Sequence, residues 1–473
     1  MRSLPARDRS VLPAAIRFAR VPAGIASAVA AVLARGACAG GSPLAMAAPS
    51  GAAGPAAAAP ASAAPATASA IFLHPDGMGA NTWTAARLAA VGPDGRLAWD
   101  RLPAVAVYVG PLLDRVTATS NGGGTSHAWG VRAAADSFGR IGGERIPRAR
   151  SGATVPLMIE ARQAGKRIGV VNTASVTDAG TGVHLADVAS RRDHASIAAQ
   201  MLGQEPEVML GGGEQWFLPE GVTGRHGAGR RTDGRNLVEE ARAKGYLVVH
   251  TAEELARVPA GTRRLLGLFA AEDTFADFED FATADAQAQP FLPGAPRYDA
   301  MVAAALRVLE DAPRGFLLVA EEEATDNLGG ANHARGVIEA ATGADRAIAL
   351  AEALAARRGD VTVVVASDSD CGGLQVGGDD VDGGTAVAAA DENGAPIDGA
   401  TGPRSAPFLA APDRAGRRLP FAIQWAASGD MSGGLVARGT GPGARLLQGT
   451  IDSTDVYSAL YLGLFGREPG LKP

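Results

Sequence analysis

The stretch VTVVVASDSDCGG, residues 361–373, runs β-branched residues into Asp368, Ser369 and Asp370 before its glycines. A run of Val and Thr is strand sequence. The acids therefore fall at a strand's carboxyl end, the edge where open α/β sheets bind ligands. Three more segments repeat the pattern. AIFLHPDGMG delivers Asp76, FLLVAEEEATDN delivers Glu321 and Asp326, and RIGVVNTASVTDAG reaches Asp178 after a short loop. One acid after a strand is ordinarily a helix cap. Four converging on one edge are different, because gathered carboxylates repel one another and lose hydration. Bound cations are the simplest relief.

The elements that must position these acids read as alternating strands and helices from Ile71 onward. Apolar runs AIFLH, VAVYVG, RIGVV, EVML, YLVVH, GFLLVA and DVTVVVA read as strands. VPLMIEARQAG, NLVEEARAKG, YDAMVAAALRVLED and GADRAIALAEALAARRG read as helices, the last two with helical apolar spacing. This alternation implies an α/β fold with a large, mostly parallel central sheet covered by helices on both faces. Residues 214–300, richer in Gly, Pro and charge, read as an insertion, and residues 379–416 as a long excursion. No internal repeat is evident.

The chain is 473 residues long, 47% hydrophobic and 20% charged, enough for a large core. Its net charge of −6 gives no electrostatic reason to expect a nucleic-acid partner. Residues 1–45 place five arginines ahead of a short apolar run, as a secretory signal does, and imply export to the periplasm or medium. Arg35 keeps that run short of a membrane span and spoils a lipoprotein motif at Cys38. Residues 46–69 read as an Ala/Pro linker, leaving 70–473 as the catalytic domain. If cleavage follows Cys38, Cys371 is the sole remaining cysteine and no internal disulfide forms.

In order along the chain, DGMG at Asp76, VTATSNGGGTSHAWGVR, VTDAGTGVHLADVASRR, EVMLGGG, LLGLFAAED and PRGFLLVAEEEATDN resemble the landmarks of the alkaline phosphatase family. The resemblance runs from about Ile71 to the C-terminus. It implies that Ser120 is the nucleophile, Asp178 a metal-bound acid and Arg191 the phosphate-binding arginine. Thr119-Ser120-Asn121 stands where the family usually has Asp-Ser-Ala, so Thr119 is the alternative nucleophile and Asn121 a further hydrogen-bond donor. The family commonly binds two zinc ions through three histidines as well as carboxylates. The matching positions are Gly330, Ser369 and Met431, and no histidine follows His333. A family threonine near a third metal becomes Gly180, with Thr181 beside it. A homodimer is implied by the resemblance alone.

Losing imidazoles while keeping oxygen donors shifts the metal preference from Zn2+ to Mg2+ or Ca2+, with Mn2+ also suited. The candidate ligands are Asp76, Asp178, Glu321, Asp326, Asp368, Ser369, Asp370 and Asp430, with Asn327 and Asn332 as further oxygens. Asp430 precedes Met431, and Asp370 follows Ser369, each beside a lost histidine. By two-metal logic Ser120 attacks phosphorus in line while Arg191 forks onto the non-bridging oxygens. His74 reads as the end of a strand, His127 and His184 as packed side chains, and Cys371 as a bystander. The expected function is an exported phosphatase acting on phosphate monoesters of small molecules. A phosphodiesterase on the same scaffold or a noncatalytic metal- or phosphate-binding protein are the alternatives. A sulfatase is disfavoured, since no C/S-x-P-x-R motif surrounds Ser120.

Overall fold

A computed structural model describes residues 67–276, 289–378 and 381–470. The signal reading and residues 46–66 of the linker lie outside them. The strands, in chain order, are β1 (Ser69–Pro75), β2 (Ala104–Val109), β3 (Arg167–Ser175), β4 (Val208–Gly212), β5 (Leu247–Val249), β6 (Leu265–Leu268), β7 (Phe316–Glu322), β8 (Val361–Val365), β9 (Leu374–Gly377), β10 (Ile397–Asp398), β11 (Phe408–Leu409), β12 (Pro420–Trp425), β13 (Val436–Thr440) and β14 (Gln448–Asp452).

Ten of these form one sheet in the order β14-β2-β13-β8-β1-β7-β3-β4-β6-β5. Only β13 runs antiparallel to its neighbours, β2 and β8. The central four, β8, β1, β7 and β3, are mutually parallel, so their carboxyl ends share one edge. Every residue of β1, β7 and β8 is buried, as expected of strands covered on both faces.

Alternation along β1 separates two cores. Ile71 and Leu73 pack with Trp83, Met301 and Ile348, from the helices Ala80–Val91, Tyr298–Leu309 and Ala334–Arg358. Ala70 and Phe72 face the other side, with Trp129, Met158 and Leu460, from the helices Ser120–Trp129, Leu157–Gln163 and Asp455–Phe465. His74 continues the Phe72 face, and its ring lies 5.3 Å from Phe72 and 5.3 Å from His127, centroid to centroid.

The stretch 214–300, read as an insertion, supplies β5 and β6 to the main sheet. Part of it, 277–288, lies outside the described residues. The excursion 379–416 carries β10 and β11, which join β9 and β12 in a small antiparallel sheet. Among the described residues no helix is long and apolar enough to cross a membrane.

Phe72 is fully buried under the site-bearing end of β1. Phe72→Ala is expected to lower folding stability by about 3–5 kcal/mol, read by urea denaturation; a loss below about 1 kcal/mol would show that this packing does not hold the strand end.

Candidate active site

The loop after β1 is stitched to its neighbours by the backbone. Asp76 N–H donates to the Glu322 carbonyl (3.2 Å), and Cys371 N–H to the Gly77 carbonyl (2.9 Å). The Thr325 hydroxyl donates to the carbonyls of Asp76 (2.5 Å) and Glu322 (2.7 Å). Gly77 turns the chain at φ +68°, and a Cβ there would come within 2.7 Å of Asp326 Oδ1. Only glycine serves at this position.

Around this loop the acids gather in three groups. In the first, His74 Nε2 lies 3.7 Å from Asp76 Oδ2 and 3.8 Å from Glu321 Oε1. In the ladder His74 is the register partner of Glu321. In the second, Asp368 is close enough to Asp76 to feel its charge, and neither Asp368 oxygen has a hydrogen-bond partner. In the third, donor atoms of Asp326, Cys371 and Asp430 lie within 4.8 Å of one another.

The electrostatics follow from burial. It pushes Glu321, Asp326 and Asp368 well above the usual carboxylate range, and the charge of Asp76 adds to each. Burial also works on Asp76, yet its interaction with the adjoining Asp368 carboxyl, the nearby His74 and the Gly77 N–H bring it below its ordinary value. Burial raises the Cys371 thiol strongly, and Asp326 and Asp430 reinforce it. Oxygens of Asp76, Glu321, Asp326 and Asp368 are buried without hydrogen-bond partners. Such orphaned oxygens on converging carboxylates fit divalent cations.

Ser120 opens the helix Ser120–Trp129, with Thr119 as its cap. The Thr119 hydroxyl accepts from Gly122 N–H (3.2 Å) and donates to the Ala135 carbonyl (2.8 Å), so it is fully engaged. Among the described residues, no hydrogen bond ties up the partly exposed Ser120 hydroxyl. Asn121 beside it is buried. The glycines that follow allow close approach: a Cβ on Gly123 would lie 2.3 Å from Asp368 Oδ2, and one on Gly124 would meet Val183 and the 179–180 turn. The positive end of the helix dipole thus starts beside the carboxylate edge.

Arg191 donates from Nη2 to Asp178 Oδ1 at 2.5 Å. The charge of Asp178, above all, holds its guanidinium protonated, and Glu323 and Glu321 add to it. Asp178, expected as a metal ligand, thereby serves as the partner of the arginine and stands outside the groups of three converging donors.

Other expected ligands also take distinct places. Ser369 donates its hydroxyl to Asp430 Oδ1 at 2.7 Å, joining one substituted position to the acid that precedes another, Met431. Asp370 turns to the start of the helix Ala80–Val91, its carboxyl lying against Gly79; burial pushes that carboxyl up to about 6. His333 Nδ1 accepts from Gly336 N–H and caps the helix Ala334–Arg358. Thr181 donates to the Val176 carbonyl and accepts from Asn172 Nδ2, the same amide that donates to Glu321. Two members of the groups were missed in the sequence, His74 and Cys371. His74 had a signal: residues i and i+2 of a strand share a face, which aligns it with Asp76.

A family model described as alkaline phosphatase matches residues 68–399. Alkaline phosphatase of Gadus morhua is 29% identical over 331 residues, 62% of this chain and 67% of that protein. Streptomycin-6-phosphate phosphatase of Streptomyces griseus is 33% identical over 228 residues, 43% of this chain and 48% of that protein. The chain thus spans about two thirds or less of the length of these relatives. Among solved structures, alkaline phosphatase of Thermus thermophilus has a TM-score of 0.65 at 23% identity, covering 86% of this chain and 93% of that one. That of the Antarctic bacterium TAB5 has a TM-score of 0.62 at 18% identity, covering 84% and 98%. These two likenesses establish the fold.

Thr119→Ala is expected to lower stability by about 1 kcal/mol, the usual worth of an N-cap, read by chemical denaturation. No measurable loss would show that the hydroxyl does not cap the helix.

Proposed function

The chain belongs to the alkaline phosphatase family, and from that premise we propose that it hydrolyses phosphate monoesters through a phosphoserine on Ser120. The observation that carries the reading is the arrangement of Arg191. It is held by Asp178 beside a carboxylate edge that would otherwise exclude a phosphate. Arginine's planar fork suits the non-bridging oxygens of a phosphoryl group, and one N–H given to Asp178 leaves others for substrate.

The proposed chemistry has two displacements. Ser120 Oγ bonds to phosphorus as the bond to the alcohol oxygen breaks; the serine proton passes to solvent and the alcohol takes one up. Water then attacks the phosphoserine, the Oγ–P bond breaks, and phosphate leaves as the hydroxyl is restored. Asn121, in the same helix turn, would donate to the phosphoryl group. Asp76 and Asp368, with Glu321, Asp326 and Asp430 around them, would hold divalent cations. When bound, such cations supply charge neutralisation and a lowered hydroxyl pKa. The oxygen donors favour Mg2+, Ca2+ or Mn2+ over Zn2+ at Asp76 and Asp368.

A small phosphorylated metabolite is the proposed substrate class, in keeping with the Streptomyces griseus relative named for streptomycin 6-phosphate. Export is proposed from the N-terminal sequence, five arginines before a short apolar run.

The test is hydrolysis of p-nitrophenyl phosphate by the purified chain, after EDTA and after each of Mg2+, Ca2+, Mn2+ and Zn2+ is restored. Activity is expected to vanish with EDTA and return with the hard cations; return with Zn2+ alone would overturn the metal assignment. Ser120→Ala is expected to lower kcat by roughly 10³-fold or more, and retention of full rate would remove Ser120 as nucleophile. Arg191→Ala removes charged hydrogen bonds worth about 1.5–3 kcal/mol, a loss of roughly 10–100-fold in kcat/KM. An unchanged kcat/KM would mean that the arginine does not touch the phosphoryl group.

A further inference from the structure

One group at the carboxylate edge is not made of oxygen alone. His74, Asp76 and Glu321 are 1%, 1% and 0% exposed, and each turns an atom without a hydrogen-bond partner toward the others. We propose that these three residues form a metal site in which His74 Nε2 is a nitrogen ligand, so that this position selects a transition ion such as Mn2+, Co2+ or Zn2+ over Mg2+ and Ca2+. The proposal rests on the reading that the edge holds cations, and it assigns one of them a ligand and a class.

The other face of the imidazole supports this. His74 Nδ1 lies 2.8 Å from the carbonyl of Ala366. A carbonyl can only accept, so Nδ1 carries the proton and the lone pair of neutral His74 is on Nε2. Metal-binding histidines are commonly oriented by this kind of second hydrogen bond. The ring has little freedom to turn elsewhere, with Phe72 tilted against it and His127 edge-on, both at 5.3 Å.

Glu321 is aimed by its own neighbours. Its Oε2 accepts from Asn172 Nδ2, which leaves Oε1 toward His74. The carboxylate fills the space a side chain on residue 180 would need, since a Cβ on Gly180 would lie 1.7 Å from Oε1. The separations of 3.7 and 3.8 Å are too long for hydrogen bonds. They are a few tenths of an ångström beyond the roughly 3.0–3.5 Å that separates neighbouring ligands of one ion with bonds of about 2.1 Å. Imidazole nitrogen favours transition ions, whereas Mg2+ and Ca2+ prefer oxygen. Among the described residues, the other three-donor group contains no histidine. A nitrogen signal from a bound ion is therefore diagnostic of this site.

The full-length chain, stripped with chelator and loaded with Mn2+, tests the assignment by electron spin-echo spectroscopy. Coupling of the Mn2+ electron spin to an imidazole 14N is expected in the wild type and absent in His74→Asn. By calorimetry, His74→Asn is expected to lose at least roughly 10-fold in Mn2+ affinity and less than about threefold in Mg2+ affinity. Mn2+ bound by the wild type without 14N coupling would overturn the role of His74 and leave the metal-binding edge standing. No binding of any divalent cation by the wild type would overturn both. The wild-type spectrum decides the matter even if the variant fails to fold.

Discussion

Buried carboxylates that must lie side by side are the constraint on which the rest of this structure depends. The parallel order β8-β1-β7 fixes it, because each of these neighbouring strands ends in or leads directly into an acid at the same edge. Asp368, Asp76 and Glu321 are almost fully removed from water. In such surroundings like charges repel strongly and desolvation adds to the cost. The upward-driven carboxyls of Glu321, Asp326 and Asp368 are the expression of that conflict.

Much of the surrounding sequence makes this edge tolerable. Asn172 donates to Glu321, and Thr173 donates to Glu322, a carboxyl that burial pushes to about 7. Arg191 supplies a fixed positive charge, anchored by Asp178 so that its remaining donors point outward from a defined place. Gly123 and Gly180 keep their positions free of Cβ atoms so that Asp368 and Glu321 can occupy that space. On the proposed reading, the same conflict that would weaken a folded protein would create affinity for cations and, through them and Arg191, for a phosphoryl group.

The strands that position the acids were legible because burial on both faces writes them as continuous apolar runs, as in FLLVA and VTVVV. β13 and β14 were not, since VARGT and QGTID are short and half polar. The helix Ala334–Arg358 showed only its second half in sequence, because Gly336 and Gly343 dilute the periodicity of the first. At the site, Asp76, Glu321, Asp326, Asp368 and Asp430 fall within the three groups. Asp370 goes to a helix N-terminus instead, because the chain reverses after Ser369 and pairs with Met431, with two backbone bonds of 3.0 and 3.2 Å. His74 went unnoticed because its importance arises across the ladder, from Glu321, a partner 247 residues away that only the β1–β7 register supplies.

The central claim is that this edge is built to hold cations, and metal-linked stability tests it most directly. Unfolding of the full-length chain would be followed in excess chelator and then across a titration with Mg2+, Ca2+ or Mn2+. The account predicts that chelation lowers the melting temperature and that added cation raises it, with about 2.7 kcal/mol gained per site at 100 times Kd. A melting temperature indifferent to both chelator and cation would contradict it.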